Sequence, residues 1–232
     1  MPSINVAWMY PNLLNLHGER GSVKAFVAVA EALNVECNLK RIEDFDEEID
    51  FDNIDLMIFL AGEINMFQYL MPRFKAQEKE FKAYLDCGGK VLAIGTTGLM
   101  FGKDILREDG SKLECLGYLD MHATERKYVI GDDIYYRINE TKQEIVGQQI
   151  HMADVEAKHP FGTIIYGHGN NGTKDEGAKE NNIIYTNCLG PLFVKNPQFA
   201  ESLIKEICLN KYLKLDKHVC NKYANDSFES TV

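Results

Sequence analysis

One segment of the chain has the sequence of a strand, a sharp turn and a helix. It covers residues 90–102 and reads KVLAIGTTGLMFG. In many α/β enzymes such a turn holds a nucleophile, because it pushes one side chain over the sheet edge, close to the backbone amides of a helix start. The turn residue here is Gly95, which has no side chain. Thr96 and Thr97 carry hydroxyls, but no neighbouring residue marks a base for them. The segment predicts the backbone of an active site without its reactive atom.

Bulk composition limits the classes of protein that this chain can belong to. It has 232 residues, of which 45% are hydrophobic, and a formal net charge of −10. This length and composition predict one α/β domain over residues 1–212 and a polar tail over residues 213–232. An acidic chain lacks the basic face that nucleic acid or an anionic membrane requires. We find no apolar run long enough to span a bilayer and no signal-like start, and therefore expect a cytoplasmic protein.

The cysteines are widely and irregularly spaced. Metal clusters and small disulfide frameworks need tighter groups such as Cys-x-x-Cys. We therefore expect reduced thiols, mostly in the core, and neither a metal nor a cofactor. The six positions are Cys37, Cys87, Cys115, Cys188, Cys208 and Cys220.

The elements that must position the turn alternate between strand and helix. Apolar runs and helical periodicity predict strands at residues 4–9, 36–42, 55–60 and 90–94, and helices at residues 22–33 and 66–85. Such a rhythm is typical of a flavodoxin-like, doubly wound α/β fold with a mostly parallel sheet.

The second half of the chain changes character. Short strands are predicted at residues 116–121, 127–130, 133–137 and 144–151, and they suit antiparallel additions at the sheet edge. A polar, glycine-rich loop is predicted at residues 167–181, a return to the core at residues 183–193 and a last helix at residues 198–210.

Several segments, taken in order, resemble one enzyme family. Residues 14–22, LNLHGERGS, are similar to the opening L-N-L-Y-G-D-x-G-N segment of GatD-type glutamine amidotransferases. Residues 51–62 resemble their second strand and its glycine turn, and residues 107–120 resemble their G-x-x-L-x-G-L-G-x-L-D segment. Residues 147–152, GQQIHM, resemble the G-Y-E-I-H-M stretch of the related CobQ-like domains. Residues 167–172 and 187–190 follow in the family's order, so the resemblance covers the chain from about residue 4 to residue 208.

The resemblance implies a class I glutamine amidotransferase fold and a definite chemistry. In that family a cysteine thiolate attacks the side-chain amide of glutamine, and a histidine transfers the proton. The family's elbow C-G-G-Y-Q falls on residues 95–99, which puts Gly95 at the nucleophile position. Its late L-G-T-Y-L-H-G-P falls on residues 189–196, which puts Val194 at the base position. By this comparison both catalytic groups are lost.

Two further family features fall on unsuitable residues. The glycine turn whose amides hold the oxyanion falls on Leu60, Ala61 and Gly62, so two glycines are replaced. The arginine that holds the substrate carboxylate falls near Tyr128. We also expect larger apolar side chains to fill the old cleft, namely Leu60, Leu99, Met100 and Val194.

Other residues could line the cleft or replace the nucleophile. The cleft candidates are His17, Thr96, Thr97, Tyr128, His151 and Cys188. His168 could join His17 there, whereas His151 is interpreted as a hydrogen-bonded scaffold residue. The apolar neighbours of Cys188 indicate a core thiol. Cys87 begins a Cys-Gly-Gly sequence, but it precedes the strand at residues 90–94 and is interpreted as a helix end.

The residues therefore favour a degenerate GatD/CobQ-like subunit that does not hydrolyse glutamine. The resemblance implies a Mur-ligase-like or other synthetase partner in cell-wall or cobalamin-type amidation; a homo-oligomer is the alternative assembly. Two other functions stay open. One is an active glutaminase with an unrecognised nucleophile, such as Cys188 or Thr96, and the other is a stand-alone small-molecule binding protein.

Overall fold

The computed structural model describes residues 1–213, 215, 218 and 222–230, and these form an α/β structure. Its strands are β1 (Ser3–Met9), β2 (Glu36–Ile42), β3 (Leu56–Phe59), β4 (Lys90–Ile94), β5 (Asp104–Leu106), β6 (Lys112–Glu114), β7 (Met121–Ile138), β8 (Glu144–Ala157), β9 (Gly162–Tyr166), β10 (Asp175–Glu176), β11 (Ala178–Glu180), β12 (Ile183–Thr186) and β13 (Cys188–Leu189). Its α-helices are α1 (Arg20–Ala32), α2 (Phe67–Ala76), α3 (Glu78–Asp86), α4 (Leu192–Lys195), α5 (Pro197–Asn210) and α6 (Lys222–Glu229).

The first sheet is the scaffold of the predicted elbow. Its strand order is β11-β12-β4-β3-β1-β2, and every neighbouring pair is parallel except β11 with β12. All residues of β3 and β4 are buried, because helices cover both faces of the central strands. The carboxyl end of β4, where the elbow lies, is therefore at the centre of the sheet edge.

The side chains of each central strand point alternately to the two faces of the first sheet, and an apolar core lies on each face. In β1, Val6 and Trp8 belong to the core that includes residues of α1 and α5, whereas Ala7 and Met9 belong to the core that includes residues of α2 and α3. Successive side chains of a strand point to opposite faces, so the helices lie on both sides of the sheet. This arrangement confirms the predicted doubly wound α/β class.

The second half of the chain forms a second sheet, which is more than the edge additions that the sequence predicts. Here β7 and β8 form a long antiparallel ribbon, and β5 pairs in parallel with β7. The predicted strands at residues 127–130 and 133–137 are parts of β7, which has an irregular register between Glu125 and Ile130. The segment at residues 116–120 is not a strand. Within the described residues, only the short strand β11 adds an antiparallel edge to the first sheet.

Two other expectations need correction. The helix predicted at residues 66–85 is interrupted at Gln77, where φ is −116° and ψ is 32°. In one straight helix, residues seven apart lie about 10 Å apart along the axis, whereas here the ring centroids of Phe74 and Phe81 are 5.1 Å apart. The predicted loop at residues 167–181 contains β10 and β11. Within the polar tail expected at residues 213–232, the structure has the helix α6. Cys220 lies outside the described residues.

Candidate functional site

The elbow backbone is present, but it has no room for a side chain. Gly95 follows β4 directly, begins a 3₁₀ helix that extends to Phe101, and has φ +71°, in the left-handed region. A Cβ atom built on Gly95 would lie 2.9 Å from the Cβ of Ala61 and 3.2 Å from Cδ2 of Leu189. Real Cβ atoms do not approach a neighbouring carbon to 2.9 Å, so Ala61 would have to move. The space for a nucleophilic side chain at position 95 is therefore occupied by the methyl group of Ala61. By the resemblance, Ala61 replaces a family glycine.

The segment that resembles the oxyanion turn is tied to its neighbours through its carbonyl groups. Thr97 donates its hydroxyl to the carbonyl of Leu60 at 2.7 Å, and the backbone N–H of Leu16 donates to the carbonyl of Ala61 at 3.0 Å. Gly62 packs so tightly that a Cβ there would lie 2.4 Å from Cδ2 of Leu14. The turn thus holds together the elbow helix and the loop before α1.

Val194, which the resemblance aligns with the family's base, lies at the surface. It belongs to the four-residue helix α4 and is 48% exposed. Its side chain faces α1, where a Cβ on Gly21 would lie 3.7 Å from Cγ2 of Val194. An aliphatic side chain cannot accept a proton, so no base is present at this position.

The buried carboxylate of Glu19 holds this part of the chain in place. It accepts hydrogen bonds from the backbone N–H of Gly190 at 2.6 Å, the hydroxyl of Ser22 at 2.8 Å and the N–H of Leu192 at 3.4 Å. Burial raises the pKa of Glu19, while these three donors act to lower it. Glu19 therefore links the start of α1 to the loop that leads into α4.

An open cavity of about 360 Å³ lies beside the turn and the elbow. Three predicted cleft residues, His17, Thr96 and His151, line it together with Gly62. The expectation that larger apolar side chains fill the cleft is wrong. The side chains of Leu60, Leu99 and Met100 are instead buried in the two cores on either side of the sheet, and Val194 is at the surface.

The cavity also contains charged groups that the sequence analysis missed. Leu106 of β5 pairs with Thr124 of β7, so the residues that follow them, Arg107 and Glu125, come together. Nε of Arg107 donates to the carboxylate of Glu125 at 2.7 Å. Asn65 and Glu63 also line the cavity. Arg107 begins a segment that resembles the family, but nothing local in the sequence marks it as a site residue.

His151 contributes a buried neutral ring to the cavity. Only 4% of its surface is exposed, and burial lowers its pKa to about 4, with a further lowering from His168. The rings of His151 and His168 are 5.9 Å apart, between centroids, in a T-shaped arrangement. Among the described residues, Nδ1 of His151 has no hydrogen-bond partner. At neutral pH this ring can hydrogen-bond a ligand but adds no charge.

The remaining predicted cleft residues do not line the cavity. Thr97 is buried, with its hydroxyl bonded to Leu60. Tyr128 is 64% exposed, and the guanidinium of Arg126 lies 5.7 Å from its ring centroid. Cys188 is fully buried, and burial raises the pKa of its thiol well above the usual value. Cys87 is exposed and forms the end of α3, before β4, as predicted.

The described part of the chain has no group of three or more His, Cys, Asp or Glu side chains that could hold a metal ion. Among the same residues, no helix combines the length and the apolar character that crossing a membrane requires.

Two known proteins that resemble this chain over most of its length carry the same name. The chain is 25% identical to the lipid II isoglutaminyl synthase (glutamine-hydrolyzing) subunit GatD of Streptococcus pneumoniae, over 90% of this chain and 82% of that protein. It is 28% identical to the subunit of the same name from Staphylococcus aureus, over 91% of this chain and 87% of that protein. In fold it is similar to PurLQS from Thermotoga maritima, with a TM-score of 0.55 and 14% identity, over 92% of this chain and 100% of that chain.

A family model gives the same result and covers most of the chain. The model of the CobB/CobQ-like glutamine amidotransferase domain matches residues 5–196. That range contains both sheets up to β13, the elbow, the cavity and α4. The chain therefore belongs to the CobB/CobQ-like glutamine amidotransferase family.

Proposed function

We propose that this chain is a GatD-like amidotransferase subunit that does not hydrolyse glutamine and that acts with a synthetase partner. One observation carries the proposal: the methyl group of Ala61 lies 2.9 Å from where the Cβ of any nucleophile at position 95 would have to be. Glycine cannot attack an amide, and a covalent mechanism has no first step without a nucleophile. The aliphatic side chain of Val194 removes the base as well.

The alternative nucleophiles offer little support for an active glutaminase. A thiol must ionise to attack, and the raised pKa of the buried Cys188 opposes this. Thr96 does line the cavity, but in the described structure no hydrogen bond joins its hydroxyl to a histidine. A threonine hydroxyl needs such a base in order to react.

The partner is proposed from the relatives and from the surface around the cavity. Both relatives are named as one subunit of a synthase. Tyr128, Val129 and Met152 are large apolar side chains that are exposed close together on the β7–β8 ribbon, and the last two also line the cavity. Exposed apolar patches next to a site are typical of docking surfaces. A Mur-ligase-like synthetase in the cytoplasm is the partner we propose, with self-association as the alternative.

The test is ammonia release from L-glutamine, measured with the purified chain alone and with a co-purified synthetase. We expect the background rate in both, because a nucleophile and a base that act as a unit account for about a millionfold of the rate in comparable enzymes. The Staphylococcus aureus GatD subunit serves as the positive control. A turnover above about one per minute would contradict the proposal.

A second candidate function is small-molecule binding without catalysis. The observation that favours it is the cavity itself, since a volume of about 360 Å³ falls in the range of ligand sites and its lining mixes apolar side chains with a few polar groups. Co-purification separates the two roles. A partner subunit is recovered with a synthetase, whereas a stand-alone binder is recovered alone and gains thermal stability with its ligand.

A further inference from the structure

The charge of the cavity is unsuited to an amino acid that carries a free carboxylate. Among the described residues, three charged side chains line the cavity: Arg107, Glu125 and Glu63. With histidine counted as neutral, their formal sum is −1. A binding site for a carboxylate needs a surplus of positive charge or of free donors.

The arginine of the cavity is already engaged. Its Nε donates to Glu125 at 2.7 Å, and one terminal nitrogen donates to Oδ1 of Asn65 at 3.4 Å. Glu125 also accepts the backbone N–H of Glu108 at 3.1 Å, so this carboxylate is held in place beside the guanidinium. Arg107 and Glu125 thus cancel each other as charges, so a ligand carboxylate that reached the remaining N–H groups of Arg107 would also be repelled by the carboxylate of Glu125.

Arg126, which follows Glu125 in the chain, is also paired with a carboxylate. Arg126 forms an ion pair with Asp154, and its guanidinium lies over the ring of Tyr128. It does not line the cavity. The family resemblance places a carboxylate-binding arginine near Tyr128. The arginine that lies there, Arg126, is already paired with Asp154.

Glu63 sets the sign of the remaining charge. Its side chain is exposed at the cavity, and within the described residues it has no ion pair or hydrogen bond. An unpaired carboxylate attracts a cationic group and repels an anionic one. The cavity therefore favours a positive head group over a zwitterion.

The rest of the lining favours a ligand with hydrogen-bonding and apolar parts. His151 lines the cavity and is deeply buried, and among the described residues its Nδ1 has no hydrogen-bond partner. A buried polar atom without a partner costs free energy, which a small shift of the ring toward a ligand would recover. Ile64, Ile150 and Met152 supply an apolar wall. An alkyl chain of a few carbons with an amide at one end matches this combination.

We propose that the cavity binds a small organic cation that bears an amide or amine group and no carboxylate. This inference rests on the proposed function only in taking glutamine not to be a substrate. It goes further because it assigns the cavity a ligand of different charge from the amino acid that the family hydrolyses.

The test compares two probes by isothermal titration calorimetry at pH 7.5. The first is 4-aminobutanamide, which is glutamine with hydrogen in place of the α-carboxylate, and the second is L-glutamine itself. We expect 4-aminobutanamide to bind in the millimolar range or tighter, and L-glutamine and L-glutamate to bind at least about tenfold more weakly. Equal or tighter binding of L-glutamine, or no binding of 4-aminobutanamide, would overturn the proposal.

Two variants locate the effect. Glu63→Gln removes the unpaired charge without burying a new group and should weaken 4-aminobutanamide about fivefold, whereas Glu48→Gln changes an exposed glutamate away from the cavity and should leave it unchanged. Glu125→Gln releases Arg107 and should strengthen L-glutamate. Equal effects of Glu63→Gln and Glu48→Gln would refute the assignment. Ammonia release is measured in the same samples: turnover refutes the proposed function, whereas failed titrations without turnover refute only this inference.

Discussion

At the scale of single residues, positions 61 and 95 exclude each other's side chains. Gly95 has a left-handed backbone, and the methyl group of Ala61 occupies the space into which its Cβ would project. A side chain can exist at one of these two positions but not at both without a shift of the backbone. A side chain introduced at position 95 alone would therefore clash with Ala61.

Gly95→Ala should therefore destabilise the protein by about 3 kcal/mol, the sum of a left-handed backbone cost and an overpacking cost. Thermal or urea unfolding measures the change. The double variant Gly95→Ala/Ala61→Gly relieves the clash but keeps the backbone cost. It should therefore be more stable than the single variant Gly95→Ala. If the second change brings no recovery, the contact between positions 61 and 95 is not the cause.

Glu176 gives a second prediction for a single residue. It is fully buried, accepts hydrogen bonds from the N–H of Asn187 at 2.7 Å and from the hydroxyl of Thr186 at 3.1 Å, and burial raises its pKa to about 8. Between its ordinary pKa and about 8, the unfolded chain loses this proton while the folded chain keeps it. The contribution of Glu176 to stability is therefore full in acid and is lost as the pH rises through that window.

Glu176→Gln has no such proton, so its stability relative to the wild type should increase as the pH rises from 5 to 8, by about 3 kcal/mol. Urea unfolding at several pH values measures the difference. Glu108→Gln, an exposed change, is the control and should show a flat difference. A flat difference for Glu176→Gln as well would show that this carboxyl is ionised in the folded protein.

At the scale of elements, the first sheet could be predicted well and the second could not. Residues 36–42 and 90–94 were predicted as strands with the bounds that the structure gives. Residues 90–94 form a buried apolar run, as is typical of a central parallel strand, whereas residues 36–42 form a mostly exposed strand at the end of the sheet. The pairing of β5 with β7 depends on contacts between distant residues and leaves no periodic signal. Arg107 and Glu125 are brought together by that pairing, so the charged part of the cavity could not be predicted from spacing.

The joint between α1 and α4 depends on one buried carboxylate. Glu19→Ala leaves the N–H groups of Gly190 and Leu192 without their acceptor, and we expect a loss of about 3 kcal/mol in the free energy of unfolding. Glu31→Ala, an exposed change in the same helix, should cost less than about 0.5 kcal/mol. Chemical denaturation of both variants measures the contrast. Similar costs for the two would mean that the loop before α4 does not need Glu19.

At the scale of the whole molecule, the proposed function separates the family fold from the family chemistry. The chain has the doubly wound sheet, the elbow and an open cavity, while the residues that we propose at the nucleophile and base positions, Gly95 and Val194, have no reactive side chain. A fold can keep its binding surfaces after its chemistry has gone, since function depends on particular side chains rather than on architecture. The elbow is one part of a unit that would also need a base, oxyanion donors and a group that holds the substrate.

Restoring the thiol alone should therefore not restore the enzyme. In a Cys87→Ser/Cys220→Ser background, which removes the thiol that is exposed among the described residues and the thiol outside them, Gly95→Cys should give no ammonia from glutamine, and a glutamine-like electrophile should label it slowly at neutral pH. The new thiol would lack a histidine to lower its pKa, and one missing oxyanion donor costs about 3 kcal/mol. Adding Val194→His and Ala61→Gly should speed labelling, with turnover still at background because, among the described residues that line the cavity, the one cation, Arg107, is paired with Glu125. Fast labelling of the single Gly95→Cys variant would show that a base and the oxyanion amides survive, and that Val194 does not occupy the position of the base.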